Sequence, residues 1–339
     1  MAGVALPGLL AEPPTVATGP KLVHEISADT ANNPPQTLMA AGSWVVAAYY
    51  AQKEVPVDDK TSRYAYTWWV YSPGQARYVK TDWQWAAISP DRRQAAALEG
   101  ELPTTRLTIY DLTTMRPVRE IALDHPGGGL AWSPDGTKLV VTTYSSSPDE
   151  FTHVDKLPPE GEMRPLARTG FATVQVATGE AAWVEIPPVR ADRGARIDFE
   201  YDADNTRVWA YEQTQSTVKY RLAPQTEPFR FLRNYYTADG RQAGSAEGLA
   251  VDQWGRGGDY LADTTDGRFL GAFFSQMGHG LLAWVDDDRL LGYVCPGGDS
   301  CDYGTEFTMF VSGLAGTDRI DLGTFQSPGT IWQPIVMRR

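Results

Sequence analysis

The stretch Leu130–Tyr144, LAWSPDGTKLVVTTY, sets two apolar, β-rich runs around a Pro134-Asp135-Gly136 turn. Pro fixes φ at the start of such a turn, and Gly takes the left-handed position that closes it. The same frame recurs earlier as AAISPDRRQAAALEG over 86–100, with Ser89 aligned on Ser133, an offset of 44 residues. It recurs again as FEYDADNTRVWAYEQ at 199–213 and LAWVDDDRLLGYV at 282–294. A weaker copy, LAVDQWGRGGDYLAD, lies at 249–263, and LMAAGSWVVAAYY at 38–50 turns on Gly42-Ser43. Six units follow from this register.

Two further strands follow several of these hairpins. In the third unit they are FATVQVATG at 171–179 and AAWVEIP at 181–187; in the second, TRLTIYDL at 105–112 and RPVREIAL at 116–123. In the first they are YAYTWWVYS and ARYVK, split by Pro73-Gly74, and in the last EFTMFVSGL and RIDLGTF. Four short strands repeating near every 44 residues predict an all-β chain folded as a β-propeller of four-stranded antiparallel blades, with six blades favoured and seven the alternative. Residues 1–19 are expected to form a flexible tail and 20–339 a single propeller domain. KLVHEIS at 21–27 and GTIWQPIVMRR at 329–339 are strand-like; they either pair to close the ring or supply part of a seventh blade. Closure removes the unpaired edges that an open array would expose.

The sequence GLAWSPDGTKLVVTTY followed by VQVATGE resembles the WD40-like, TolB-type (PD40) propeller repeat: an apolar strand, Ser-Pro-Asp-Gly, a second apolar strand, and a later strand ending in a Thr-Gly turn. The resemblance implies six blades. The Gly-His and Trp-Asp pairs of WD40 blades are missing, which separates this chain from the partner biology of that branch.

Composition narrows the function. The 339 residues carry 30 Lys and Arg against 42 Asp and Glu, a net charge of −12, so a phosphate backbone is a poor partner and no nucleic acid is expected. No run of 18 apolar residues spans a bilayer. Residues 3–11 are small and apolar without a basic flank, which reads either as a plain tail or as the downstream part of a longer apolar segment. The two cysteines, Cys295 and Cys301 in CPGGDSC, are close enough in sequence to form a disulfide, worth about 2 kcal/mol. Two free thiols are the alternative. A disulfide fits an oxidising, extracytoplasmic setting, secreted or at the cell envelope, and free thiols a cytoplasmic one.

In propellers the tight first-to-second turns lie on one face and the remaining connections on the other. Here the long polar connections, 51–63, 145–169 and 295–305, all fall on that second face, where binding residues tend to sit. The blade-to-blade links there contain Asp82, Asp124, His125, Arg190, Asp192, Arg193, Glu247 and His279. Of these, Asp82, Asp124, His125, Arg193 and His279 are the candidate acid/base residues. Solvated loop polarity with no shared site is the plain alternative. Trp83, Asp149, Glu150 and His153 are the candidate binding residues, although large aromatics between blades are ordinary core. Alternation places Trp68 and Trp69 on opposite faces, and Trp83 and Trp85 on the same one.

No metal centre or cofactor is expected. A divalent cation, at the His and carboxylate ring or at Asp286-Asp287-Asp288, is the one alternative, though the last three residues are explained by the hairpin tip. The expected function is a monomeric, non-catalytic module presenting its loop-rich, acidic face to a protein, peptide or glycan, neutral or basic in charge. The alternative is a lyase or hydrolase with a polar site at the channel mouth.

Overall fold

The structure is a computed structural model. It describes residues 26–152, 164–165, 167–186, 190–191, 196–201, 205, 207–210, 217–221, 229–231, 234–236, 241–245, 259–263, 269–273, 279–285, 289–295, 306–313, 318–326 and 329–339. Among these residues every regular element is a strand, and every ladder is antiparallel apart from one isolated bridge.

The first sheet contains β1 (Ile26–Ser27), β2 (Ala40–Ala41), β3 (Trp44–Pro56), β4 (Thr61–Ser72) and β5 (Arg77–Thr81). The second is the meander of β6 (Trp83–Ile88), β7 (Gln94–Glu99), β8 (Thr104–Asp111) and the first part of β9 (Arg116–Trp132). The long β9 runs on into the third sheet, where its residues 127–132 pair with β10 (Lys138–Tyr144). Next come β11 (Glu150–Thr152), which pairs back onto β4, and β12 (Arg164–Pro165). β13 (Arg168–Gln175) and β14 (Ala181–Glu185) complete the third sheet, and β15 (Arg190–Ala191) pairs with β12.

The fourth sheet is β16 (Phe199–Tyr201), β17 (Arg207–Ala210), β18 (Thr217–Arg221) and β19 (Phe229–Phe231). The fifth is β20 (Asn234–Tyr236), β21 (Arg241–Ser245), β22 (Asp259–Asp263) and β23 (Phe269–Phe273). The sixth is β24 (His279–Trp284), β25 (Arg289–Val294), β26 (Glu306–Gly313) and β27 (Ile320–Gln326). The C-terminal β28 (Thr330–Arg338) then returns to the first sheet and pairs with β3 from Trp44 to Lys53.

The sixth, first, second, third and fourth sheets pack face to face in turn. Met39, Tyr49 and Tyr78 of the first meet Phe307, Met309 and Phe325 of the sixth. Trp68 and Val70 meet Trp83, Ala95 and Ala97 of the second. Leu98 and Ile109 of the second meet Leu139 and Val141 of the third, whose Val140 and Phe171 meet Phe199 and Val208 of the fourth. Each such sheet is covered on both faces, so neighbours along a strand serve different cores: Val140 points one way, Leu139 and Val141 the other. This explains unbroken apolar runs such as LVV and AAAL, where a half-exposed sheet would alternate with polar residues. The arrangement is β-propeller-like.

The Ser-Pro-Asp turns are built alike in the second and third sheets. Ser89 Oγ donates to Asp91 (2.7 Å) and Ser133 Oγ to Asp135 (2.7 Å). The same oxygens accept from the amides of Gln94 and Lys138, each at 2.9 Å. The fourth turn position has φ of +71° at Gly136 and +60° at Arg92.

Four expectations need correction. The span 51–63 is not a loop: β3 and β4 extend as a hairpin to a tip at residues 57–60. The 38–50 hairpin exists, but β2 is a two-residue stub lying on the β4 side of β3, and β28 occupies the other edge. Pro334 is tolerated in β28 because that strand's second edge has no ladder partner among the described residues. In the fifth unit, 249–263 is not the leading hairpin. β20 and β21 lead, and β22 is the third strand. At the N-terminus Ile26 and Ser27 pair with β2 rather than β28, and Asp29 bridges to Gly323 of β27.

A candidate functional site where the inner strands begin

The leading strands of the second, third and fourth sheets start near one another, and a cluster of polar and aromatic side chains fills that junction. Its centre is Arg196, three residues before β16. Arg196 grips Asp149 with two hydrogen bonds, Nε to Oδ1 at 2.9 Å and Nη2 to Oδ2 at 2.7 Å. Its Nη1 donates to Asp198 at 3.1 Å and to the carbonyl of Gly128. The guanidinium lies 3.8 Å from the ring centre of Trp85 on β6 and 5.8 Å from that of Tyr66 on β4. One side chain thus touches groups from the first four sheets.

The carboxylates are completed by tyrosines. Tyr66 donates to Asp149 at 2.9 Å, and Tyr144 donates to Asp198 at 2.7 Å while accepting from the Ile197 amide at 3.2 Å. Tyr50 packs on Tyr66, Trp68 and Trp85 beside them. The side chains of Arg196 and Asp149 are 12% and 3% exposed, so this is a desolvated ion pair whose hydrogen bonds offset the loss of water. Burial works against the charge on Arg196, but Asp198 and Asp149 outweigh it and raise its pKa well above the usual guanidinium value. Burial lifts the hydroxyl of Tyr50 to about 12, with Arg196 opposing and the two aspartates adding. Burial likewise pushes Tyr66 and Tyr144 up, so both stay protonated as donors.

Glycine makes the approach feasible. A Cβ on Gly129 would sit 2.1 Å from the Asp198 carboxyl group, and one on Gly128 would sit 2.7 Å from the Tyr144 ring. The run Gly127-Gly128-Gly129 therefore marks where other groups close on the backbone of β9. That run was the signal available in the sequence for Asp198, Tyr144 and Arg196, none of which was singled out there. Arg196 lies just past the flagged link residues Arg190, Asp192 and Arg193.

The long connections of the first and third sheets meet here as well. Glu150–Thr152 forms β11 against Arg63–Thr61 of β4, and the Tyr64 amide donates to the Asp149 carbonyl at 3.0 Å. The acidic tip of the β3–β4 hairpin carries Glu54, Asp58 and Asp59, among Lys53 and Lys60, with Val57 exposed.

Of the expected binding residues, Asp149 is buried in the ion pair rather than displayed, because Arg196 and Tyr66 claim its oxygens. Glu150 is exposed on β11. Trp83 is 2% exposed, packed on Tyr110 within the core between the first two sheets, so its place is structural. Trp85 packs against that same core, as expected, but a break in register between Trp83 and Trp85 also brings it against the next core and beside Arg196. Trp68 and Trp69 do face opposite cores. His153 lies outside the described residues.

Of the expected acid/base residues, Asp82 is exposed between β5 and β6, Asp124 is exposed within β9 rather than on a loop, and the His125 ring stacks on Trp183 at 3.8 Å. His279 opens β24, with its side chain outside the described part, and Arg193 lies outside it altogether. Among the described residues no three His, Cys, Asp or Glu are grouped to hold a metal ion, and Asp286, Asp287 and Asp288 fall outside them. Cys295 is buried at the end of β25 and is not a free thiol; Cys301 is outside the described residues. No helix among the described residues is long and apolar enough to cross a membrane.

No family model matches the chain, and no curated protein matches it. Among solved structures it is similar to TolB from Acinetobacter baumannii, at 13% identity and a TM-score of 0.44, over 84% of this chain and 66% of that one, just under two thirds of the TolB length. It is also similar to the hydrazine synthase of Kuenenia stuttgartiensis, at 13% identity and a TM-score of 0.35, over 72% of this chain and 68% of that one.

Proposed function

We propose that this chain is a non-catalytic propeller-type binding module of six closed blades, which presents its loop-rich face to a basic protein or peptide segment. The observation that carries the reading is the self-satisfied Asp149–Arg196–Asp198 cluster. Each carboxylate oxygen accepts at least one hydrogen bond, and Arg196 is spent on two carboxylates and a carbonyl, so the cluster braces the rim rather than offering an acid or base for turnover. What remains exposed above it is the β3–β4 tip with Glu54, Asp58 and Asp59, next to Glu150 on β11. Rim charges of this kind steer association and respond to salt.

A fluorescent lysine-rich peptide titrated onto the protein at low and at physiological salt tests this. Saturable binding that weakens with salt, and weakens further in a Glu54→Gln, Asp59→Asn, Glu150→Gln triple variant, supports the reading. No binding, or binding indifferent to salt and to the variant, overturns it. Turnover of a sugar, lactone or peptide substrate that vanishes in His125→Ala favours the enzyme reading instead.

The same proposal includes a Cys295–Cys301 disulfide and an extracytoplasmic setting. Its support is that Cys295 is not free and the chain has one other cysteine. Thiol titration of the denatured protein without reductant should find no reactive thiol, and two after reduction; two from the outset would remove the pairing.

A further inference from the structure

The opposite end of the first two sheets carries a cleft of about 350 Å³. Val45, Ala47, Tyr71, Ile88 and Leu112 give it apolar walls, and Asp91, Arg92 and Arg93 line it as well. That volume lies within the usual range of small-molecule sites, about 300–1,000 Å³.

Arg92 is an anomaly there on two independent counts. It occupies the left-handed turn position, φ +60°, that Gly136 fills in the matching turn of the third sheet at +71°. Side chains avoid this conformation, and residues held in it tend to serve a site. Its Nε is also buried with no hydrogen-bond partner. The neighbouring carboxylate does not answer it: Asp91 accepts from the Ser89 hydroxyl at 2.7 Å and the Arg93 amide at 3.0 Å, inside its own turn. A cationic fork beside apolar walls is set locally to receive an anion, although the chain as a whole carries a net charge of −12.

We infer that this cleft binds a small carboxylic acid, its carboxylate on Arg92 and its apolar body against Val45, Ile88 and Leu112. The apolar walls disfavour a multiply charged phosphate, whose hydration they do not replace. The site is separate from the loop-rich face and does not depend on its function.

Octanoate and octanamide, titrated calorimetrically onto the whole protein, test the inference. Octanoate should bind saturably and about tenfold or more tighter than the neutral amide. Arg92→Gly, which installs the residue of the matching turn, should erase that difference while leaving the melting temperature unchanged or higher. Arg93→Gln should change octanoate affinity by less than about threefold. Failure of octanoate to bind at 1 mM, on the order of the weakest affinities worth calling specific, overturns the site. So does equal binding of octanoate and octanamide, or full octanoate affinity in the folded Arg92→Gly variant.

Discussion

Two arginines sit near opposite ends of strand β6, and they differ in what surrounds them. Arg196 is enclosed by Asp149, Asp198, the Gly128 carbonyl and the Trp85 face. Arg92 lies beside apolar walls with its Nε unanswered. The first arrangement is closed upon itself and ties sheets together; the second is open and waits on something outside the chain. A buried charge alone is therefore no mark of function in this molecule. The partner inventory around it is what separates bracing from binding.

The comparison can be broken or sharpened by experiment, beginning with the frame that both arginines need. Removing residues 329–339 strips β3 of its ladder from Trp44 to Lys53 and uncovers Trp332's neighbours in the first core. The shortened chain should lose its single cooperative thermal transition; an unchanged melt would show that β28 is dispensable. Next is Arg196→Met, which leaves two buried carboxylates unpaired and should cost about 3–5 kcal/mol in urea unfolding. Adding Asp149→Asn and Asp198→Asn to it should recover part of that loss, whereas additive losses would mean that the residues do not act as one cluster.

A smaller effect is expected at Asp29, which fastens the N-terminal segment to β27. Burial opposes its charge, but the amides of Thr37 (2.8 Å) and Gln36 (2.7 Å) and the Asn32 side chain prevail and hold its pKa down at about 2. Because the folded value is depressed below the ordinary aspartate value of 3.8, the bonus is complete above the unfolded pKa and fades as pH falls from about 4 to 2. Asp29→Ala should therefore lose on the order of 2 kcal/mol at pH 7. Its gap from the parent should narrow below pH 4. A gap independent of pH would assign the loss to packing alone.

The smallest effect belongs to Arg92→Gly. Relief of the left-handed conformation and the added freedom of glycine in the unfolded chain nearly cancel, so stability should stay within about 1 kcal/mol of the parent. A large loss would make Arg92 a brace like Arg196 and dissolve the contrast between them.

Much of the frame was legible because it is local. The Ser89 and Ser133 turns fix a register, and runs such as Leu139-Val140-Val141 announce strands covered on both sides. What escaped is nonlocal. The inner neighbour of β3 comes from the far end of the chain, and no pattern within 38–50 specifies it. Asp149 was noticed as a loop carboxylate, but its partner lies 47 residues away and its burial follows from that partner. The cluster's one local trace was Gly127-Gly128-Gly129, whose meaning depends on what approaches it. Arg92, by contrast, stands in the aligned turn where its counterpart has Gly136, so its anomaly is present in the sequence, but its meaning depends on φ and on the cleft beside it.

The central claim is that the C-terminal strand β28 lies beside β3 in the first sheet, as the closed ring proposed above requires. Hydrogen exchange of the unmodified protein tests it without perturbing the fold. Amides of β28 (Thr330–Arg338, Pro334 having none) should be protected to the same degree as those of Trp44–Lys53, and both should open together as denaturant is added. Exchange of 330–338 at the rate of an unstructured peptide, with 44–53 still protected, would contradict it.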